Sequence, residues 1–276
     1  MRETIEIRIS TDKAAHFLPP GVGDDWDITR RLELDVDDPL VEVIRRHELE
    51  EHRQGTTMVT FWQVRRRYSP RELHSAELLW MRVRPFFEPT GEECGTLYDD
   101  SQACTSCGAG ARQLSELSLD LKRIPKDRDI AQTLGGELVV SSRLVEALRK
   151  HGISGMELRP VLGKQGERST AWHQLVVPSS PLEVVAPTQV GNSFFIPEPD
   201  PARCPKGHVL GLRVLSEVYV SRASLDGNDW ACTRQRVGLR QGLFRPQPLM
   251  LISQRLYRLL SEMKVRRFDV EVAHPE

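Results

Sequence analysis

Residues 104–161 and 204–273 follow one pattern twice, and a chain that carries two copies of a unit must fold so that both find equivalent surroundings. Cys104-x-x-Cys107-Gly108 aligns with Cys204-x-x-Gly207-His208, and Leu114-Ser115-Glu116 with Leu215-Ser216-Glu217. Asp129-Ile130-Ala131-Gln132-Thr133 aligns with Asp229-Trp230-Ala231-Cys232-Thr233. Val140-Ser141-Ser142-Arg143-Leu144 aligns with Ile252-Ser253-Gln254-Arg255-Leu256, then Leu148 with Leu260, Ile153 with Val265 and Met156 with Phe268. The register slips only at insertions, the largest being Arg234–Phe244. Each copy reads as knuckle, strand, loop, strand, helix, turn, strand. Ser141 or Ser142 in the first copy and Ser253 in the second can cap the helices. Leu144 and Leu148, like Leu256 and Leu260, recur at i and i+4, so each helix shows an apolar stripe to a sheet.

The remaining segments read individually. Met1–Ile9 alternates polar and apolar and reads as a strand, with no signal-peptide core. Residues 39–53 read as an amphipathic helix with Leu40, Val43, Ile44 and His47 on one face, and residues 56–64 as a strand. Ser69-Pro70-Arg71-Glu72 is a capping box that opens a helix with Leu73, Ala76, Glu77 and Trp80 at helical spacing. Trp172–Val177 reads as a further strand, and Pro178–Pro201 as a crossing segment or linker rich in Pro and Ser. The expected class is α+β: an N-terminal α/β unit at 1–90, then tandem knuckle, strand, helix, strand units at 91–177 and 178–276.

The knuckles raise the question of a shared metal site. Zinc takes Cys and His ligands tetrahedrally, and one tight turn supplies two of them. Cys104, Cys107, Cys204 and His208 would make a closed Cys3His set around one structural zinc per chain. Cys94 is an alternative to His208 as the fourth ligand. Two other readings stand beside this one: an eroded site without metal, and a redox pair, which would need a helix starting at Cys104. The acidic pair Asp99-Asp100 is expected to raise a thiol pKa and to disfavour the redox reading. A shared site also requires the Cys104 and Cys204 sulfurs to lie within about 5 Å of each other.

Other chemistry is harder to find. His47-Glu48-Leu49-Glu50-Glu51-His52 mimics a metalloprotease helix, but its histidines are five apart rather than four, which separates them by about 140° on a helix. No phosphate-binding glycine loop, nucleophile elbow or dinucleotide fingerprint is present. Asp129 and Asp229 occupy matching places, where they could act as acid and base or simply fix turns. The formal net charge of -1 gives no global reason to expect a nucleic acid, and Arg65-Arg66-Arg67 reads as a solvated strand face. No apolar run is long enough for a membrane span. Five cysteines, an odd number, suit a reducing cytoplasm without a disulfide framework.

The stretch Cys104-Thr-Ser-Cys107-Gly108, Leu119-Asp120, Pro125, Asp129-Ile130, Val139-Val140-Ser141, Arg143-Leu144-Val145, Leu148 and Ile153-x-Gly155-Met156 resembles the double-CXXCG-motif family of bacterial immunity proteins. The second copy resembles it more faintly and departs from its pattern at Gly207. The resemblance implies a binding protein that neutralises a cognate protein toxin and has no turnover of its own. The rivals are a zinc-ribbon nucleic-acid binder and an enzyme using the paired carboxylates of the two copies. Trp26, Trp62, Tyr68 and Trp172 are candidate interface anchors wherever they prove exposed.

Overall fold

The computed structural model describes residues 1–178, 181–197 and 199–276. Its composition corrects the expected α+β class: 37% of residues are in strands and 18% in helices, so the protein is mostly β. The repeat helices span nine residues each. The helix opened by the capping box stops at Ser75, because the apolar run after it forms a strand. The chain divides into two compact units, Met1–Glu72 with Gly191–Pro199, and Leu73–Val190 with Asp200–Glu276. The first boundary therefore lies near residue 72 instead of 90, and both knuckle copies share one unit.

The first unit runs β1 (Arg2–Ser10), α1 (Thr11–Ala14), β2 (Asp24–Trp26), β3 (Thr29–Asp35), α2 (Pro39–Arg53) and β4 (Val59–Arg67). Its antiparallel sheet has the order β2-β3-β1-β4, a split β-α-β arrangement. Ile5, Ile7 and Ile9 alternate onto one face of β1, where they bury with Leu32, Met58 and the α2 residues Val41 and Ile44. Asp38 caps α2 by accepting from the Leu40 amide, and Pro39 fits the first turn because that position needs no donor. Glu48 is buried and accepts from the Met58 and Val59 amides at 2.9 and 3.0 Å, a structural use for the centre of the false metalloprotease motif.

The second unit begins in α3 (Pro70–Ser75) and continues with β5 (Leu78–Val83), β6 (Tyr98–Asp99), β7 (Arg112–Gln113), β8 (Leu117–Leu119), β9 (Ile130–Gln132), β10 (Leu138–Ser141), α4 (Ser142–Lys150), β11 (Glu157–Gly163) and β12 (Arg168–Val176). After it come β13 (Val190–Gly191), β14 (Val209–Gly211), β15 (Arg213–Val214), β16 (Val218–Val220), β17 (Trp230–Val237), β18 (Gln247–Ser253), α5 (Gln254–Glu262) and β19 (Phe268–Pro275). One sheet has the order β8-β11-β12-β10-β9, the other β14-β17-β18-β5-β19-β16. Read strand for strand, β8, β11, β12, β10 and β9 match β16, β19, β5, β18 and β17. The registers match too. Val161 pairs with Leu117 as Ala273 pairs with Val218, and Val140 with Ile130 as Ile252 with Trp230.

The central strand of each sheet departs from the tandem arrangement. β5 precedes the first copy but lies in the second copy's sheet, and β12 precedes the second copy but lies in the first copy's sheet. The copies thus exchange their leading strands. The second sheet is incomplete without Leu78–Val83, residues that the sequence grouped with the N-terminal unit. One core unites the exchange: Leu79, Met81 and Val83 of β5 bury with Leu144 and Leu148 of α4 and with Leu256 and Leu260 of α5.

Polar contacts repeat the reciprocity. Ser141 and Ser253 cap their helices by accepting from the Leu144 and Leu256 amides, both at 3.1 Å, and donate to Asp129 and Asp229 at 2.7 and 2.6 Å. Arg143 pairs with Asp129 and donates to the Met263 carbonyl at the end of α5. Arg255 pairs with Asp229 and donates to the His151 carbonyl at the end of α4. Each arginine thus lies at the negative end of the other copy's helix. Ser141→Ala and Ser253→Ala are each expected to lower stability by about 1 kcal/mol, measured by urea unfolding at unchanged m value. A loss from only one of them would mean that the caps are not equivalent.

Candidate metal centre

Each knuckle closes on itself before the two meet. In the first, the Cys104 amide donates to the Ala109 carbonyl at 2.8 Å and the Gly108 amide to the Cys104 carbonyl at 2.7 Å. In the second, the Cys204 amide donates to the Val209 carbonyl and the Gly207 amide to the Cys204 carbonyl, both at 2.9 Å. The loops have equal length, but the left-handed residue is Gly108 (φ 70°) in one and Gly207 (φ 75°) in the other. The second turn therefore closes one residue early. Glycine takes the place where a second cysteine would stand, because that backbone conformation favours it, and the next residue supplies the donor. That residue is His208, which leads into β14.

The four side chains converge. The Cys104 and Cys204 sulfurs are 3.8 Å apart, and His208 Nδ1 lies 3.8 Å from both the Cys107 and the Cys204 sulfur. All four donor atoms lie within 4.8 Å of one another, an arrangement that could hold a metal ion. Sulfurs bound tetrahedrally at 2.3 Å would be about 3.8 Å apart. All five cysteines are free thiols. Cys104, Cys107 and Cys204 are buried at 8%, 6% and 4% exposure, and His208 is exposed. Cys94 lies outside the group in a 3-10 turn, and Cys232 donates to the Pro178 carbonyl within the β17 packing.

The electrostatics correct one expectation. The Cys104 thiol is held below its ordinary pKa, because the Cys107 and Ser106 amides donate to it. Asp99 and Asp100 do not raise it: Asp99 accepts from the Ser101 amide at 2.8 Å, and Asp100 accepts from Arg240 at 2.7 Å and Arg245 at 3.0 Å. Burial pushes the Cys107 thiol the other way. No helix begins at Cys104, so the structural requirement of the redox reading is not met.

Sequence reasoning missed the clamp over the site. The large second-copy insertion folds across the first knuckle, where a Cβ on Gly108 would meet Arg240 Cδ at 2.4 Å. Arg245 joins Asp100 to Glu92 and lies over the Tyr98 ring. The length of the insertion was the only signal. Asp129 and Asp229, the candidate acid and base, are each committed to a capping serine and an arginine of their own copy.

Gly207→Ala is expected to cost about 1 kcal/mol, roughly fivefold in metal affinity, through backbone strain alone, since a Cβ there meets nothing within 4 Å. Competition with a chromogenic chelator reads it, and an unchanged affinity would mean that the turn opens freely. Searches of protein-family models and of curated protein sequences give no match to this chain.

Proposed function

We propose that this chain is a binding protein of the immunity type, which neutralises a cognate protein toxin by occupying its surface and is held in shape by one structural zinc ion per chain. The observation that carries the reading is the closed donor set. Cys104, Cys107, Cys204 and His208 offer four donors close enough for one ion, and a tetrahedral site closed by all four would leave no coordination position for a substrate. Three thiolates and one imidazole favour zinc over hard cations such as magnesium or calcium. When bound, the ion supplies folding energy and a bridge between the two copies. A cytoplasmic setting belongs to the same proposal, since free thiols persist where the medium is reducing. Among the described residues no helix is long and apolar enough to cross a membrane.

The zinc-ribbon nucleic-acid reading has less support. The cationic groups over the first knuckle, Arg240 and Arg245, are neutralised by Asp100 and Glu92. The toxin-binding reading draws on the sequence resemblance, which names the class of partner. It is tested by expressing the product of the adjacent gene with and without this chain. Toxicity alone and rescue on co-expression are expected. A neighbour that is harmless alone, or growth arrest unrelieved by co-expression, overturns it.

A further inference from the structure

The sheet of the first unit has α2 on one face and, among the described residues, no helix on the other, and the side chains of the open face are unusual for one that meets only water. Arg8, Arg31 and Arg65, on three adjacent strands, converge on Glu6 at 3.0, 3.2 and 2.7 Å. Glu6 is buried beneath them. Glu33 and Asp35 on the same face are engaged by Arg67 and Arg2. Three guanidinium groups face the carboxylates of Glu6 and of Asp24, which stands opposite Arg31 across the sheet, so one positive charge remains on the patch, in a chain whose net charge is -1.

Apolar groups surround that charge. The Arg8 guanidinium lies 4.0 Å from the Trp26 ring centroid and 4.5 Å from that of Phe61. Trp26 is 53% exposed and Ile28, in the turn beside it, 76%. Of the four aromatic anchors expected from sequence, Trp26 is the exposed one: Trp172 is core, Tyr68 is half-buried, and Trp62 packs against Phe194. Tryptophan and arginine, central and mutually packed, are the residue types that dominate binding energy at protein interfaces. Scattered single apolar residues on a surface need no explanation, but this set is contiguous and charged at its centre.

We propose that this face, centred on Arg8 and Trp26, is where the chain docks its protein partner, and that the partner presents a carboxylate beside an apolar pocket. The inference rests on the toxin-binding reading. A carboxylate answers the one uncompensated charge and accepts a bidentate bond from Arg31 or Arg65. The apolar pocket receives Trp26 and Ile28.

The test uses the full-length, metal-loaded protein and the purified product of the adjacent gene in titration calorimetry. Trp26→Ala and Arg8→Ala are each expected to weaken binding by roughly 30-fold or more. Arg65→Glu is expected to weaken it further at low salt than at high salt, because its effect is electrostatic. Leu114→Ser, at an exposed apolar residue of the other unit, is expected to change it by less than about twofold. Circular dichroism of Trp26→Ala should match the parent, since Trp26 is on the surface. Arg8→Ala and Arg65→Glu remove partners of buried Glu6, so their binding is read below a separately measured melting temperature. Wild-type binding that survives Trp26→Ala and Arg8→Ala overturns the docking face and leaves the toxin-binding reading standing. Absence of wild-type binding overturns both. Tight binding of single-stranded oligo-dT that is lost in Trp26→Ala also overturns the proposal, in favour of a nucleic-acid face.

Discussion

Cys107→Ser is expected to destabilise the metal-loaded protein by several kcal/mol, a fall in melting temperature on the order of 10 °C. The knuckles come from positions 100 residues apart, and their sulfurs meet in a small cluster with Val209, Ala109 and Ala202. That cluster contains few apolar groups to hold it closed without an ion. Serine is a poor zinc ligand and leaves a buried hydroxyl among three unmet donors. A strong chelator should lower the wild-type melting temperature by a similar amount and the variant's hardly at all. Cys94→Ser, outside the cluster, should behave as wild type. Equal melting temperatures for Cys107→Ser and wild type would mean that the site contributes no folding energy. A large loss in Cys94→Ser would return that residue to the ligand set.

The second large effect is expected far from the metal. Gly155→Ala should cost about 3 to 5 kcal/mol, the sum of left-handed backbone strain and a backbone collision. Gly155 has φ 82°, and a Cβ there would fall 2.0 Å from the Trp230 carbonyl oxygen and 2.7 Å from Asn228 Cβ. The Trp230 amide donates to the Ser154 carbonyl at 3.0 Å, so the two copies touch backbone to backbone at this point. Gly152, also left-handed, has only an Arg255 nitrogen at 3.9 Å, and Gly152→Ala should cost about 1 kcal/mol. The second copy provides an internal comparison: its equivalents, Lys264 and Arg267, adopt φ 56° and 71° with full side chains. Chemical denaturation of both glycine variants checks the contrast, and equal losses would show that the close approach of Trp230 is unimportant.

These two sites mark what could be read from the sequence. The repeat was legible because its punctuation is chemical: paired serines that cap helices, paired aspartates that accept from them, and cysteines that need a turn. The donor set was legible for the same reason, although the glycine in place of a cysteine made sense only once its backbone conformation was known. The exchanged strands were not legible. Leu78-Leu-Trp-Met-Arg-Val is buried on both faces, in contact with one core through Leu79 and Met81 and another through Leu78 and Trp80. It therefore lacks the two-residue alternation that marks a half-buried strand, and its spacing passes for the end of the helix before it. The expected class failed with it, since a helix counted there and short helices elsewhere overstated the α content. Nor could the sequence show that Arg240 of the second copy covers Gly108 of the first knuckle, because nothing local records a contact across 132 residues.

One ion is proposed to join the two copies of the unit. X-ray absorption at the zinc edge, on protein expressed in zinc-replete medium and freed of loosely bound metal, tests it most directly. It should find about one zinc per chain, with three sulfurs near 2.3 Å and one nitrogen near 2.0 Å. A chain without zinc, or a zinc shell with two sulfurs and the rest oxygen, would contradict a site shared between the knuckles.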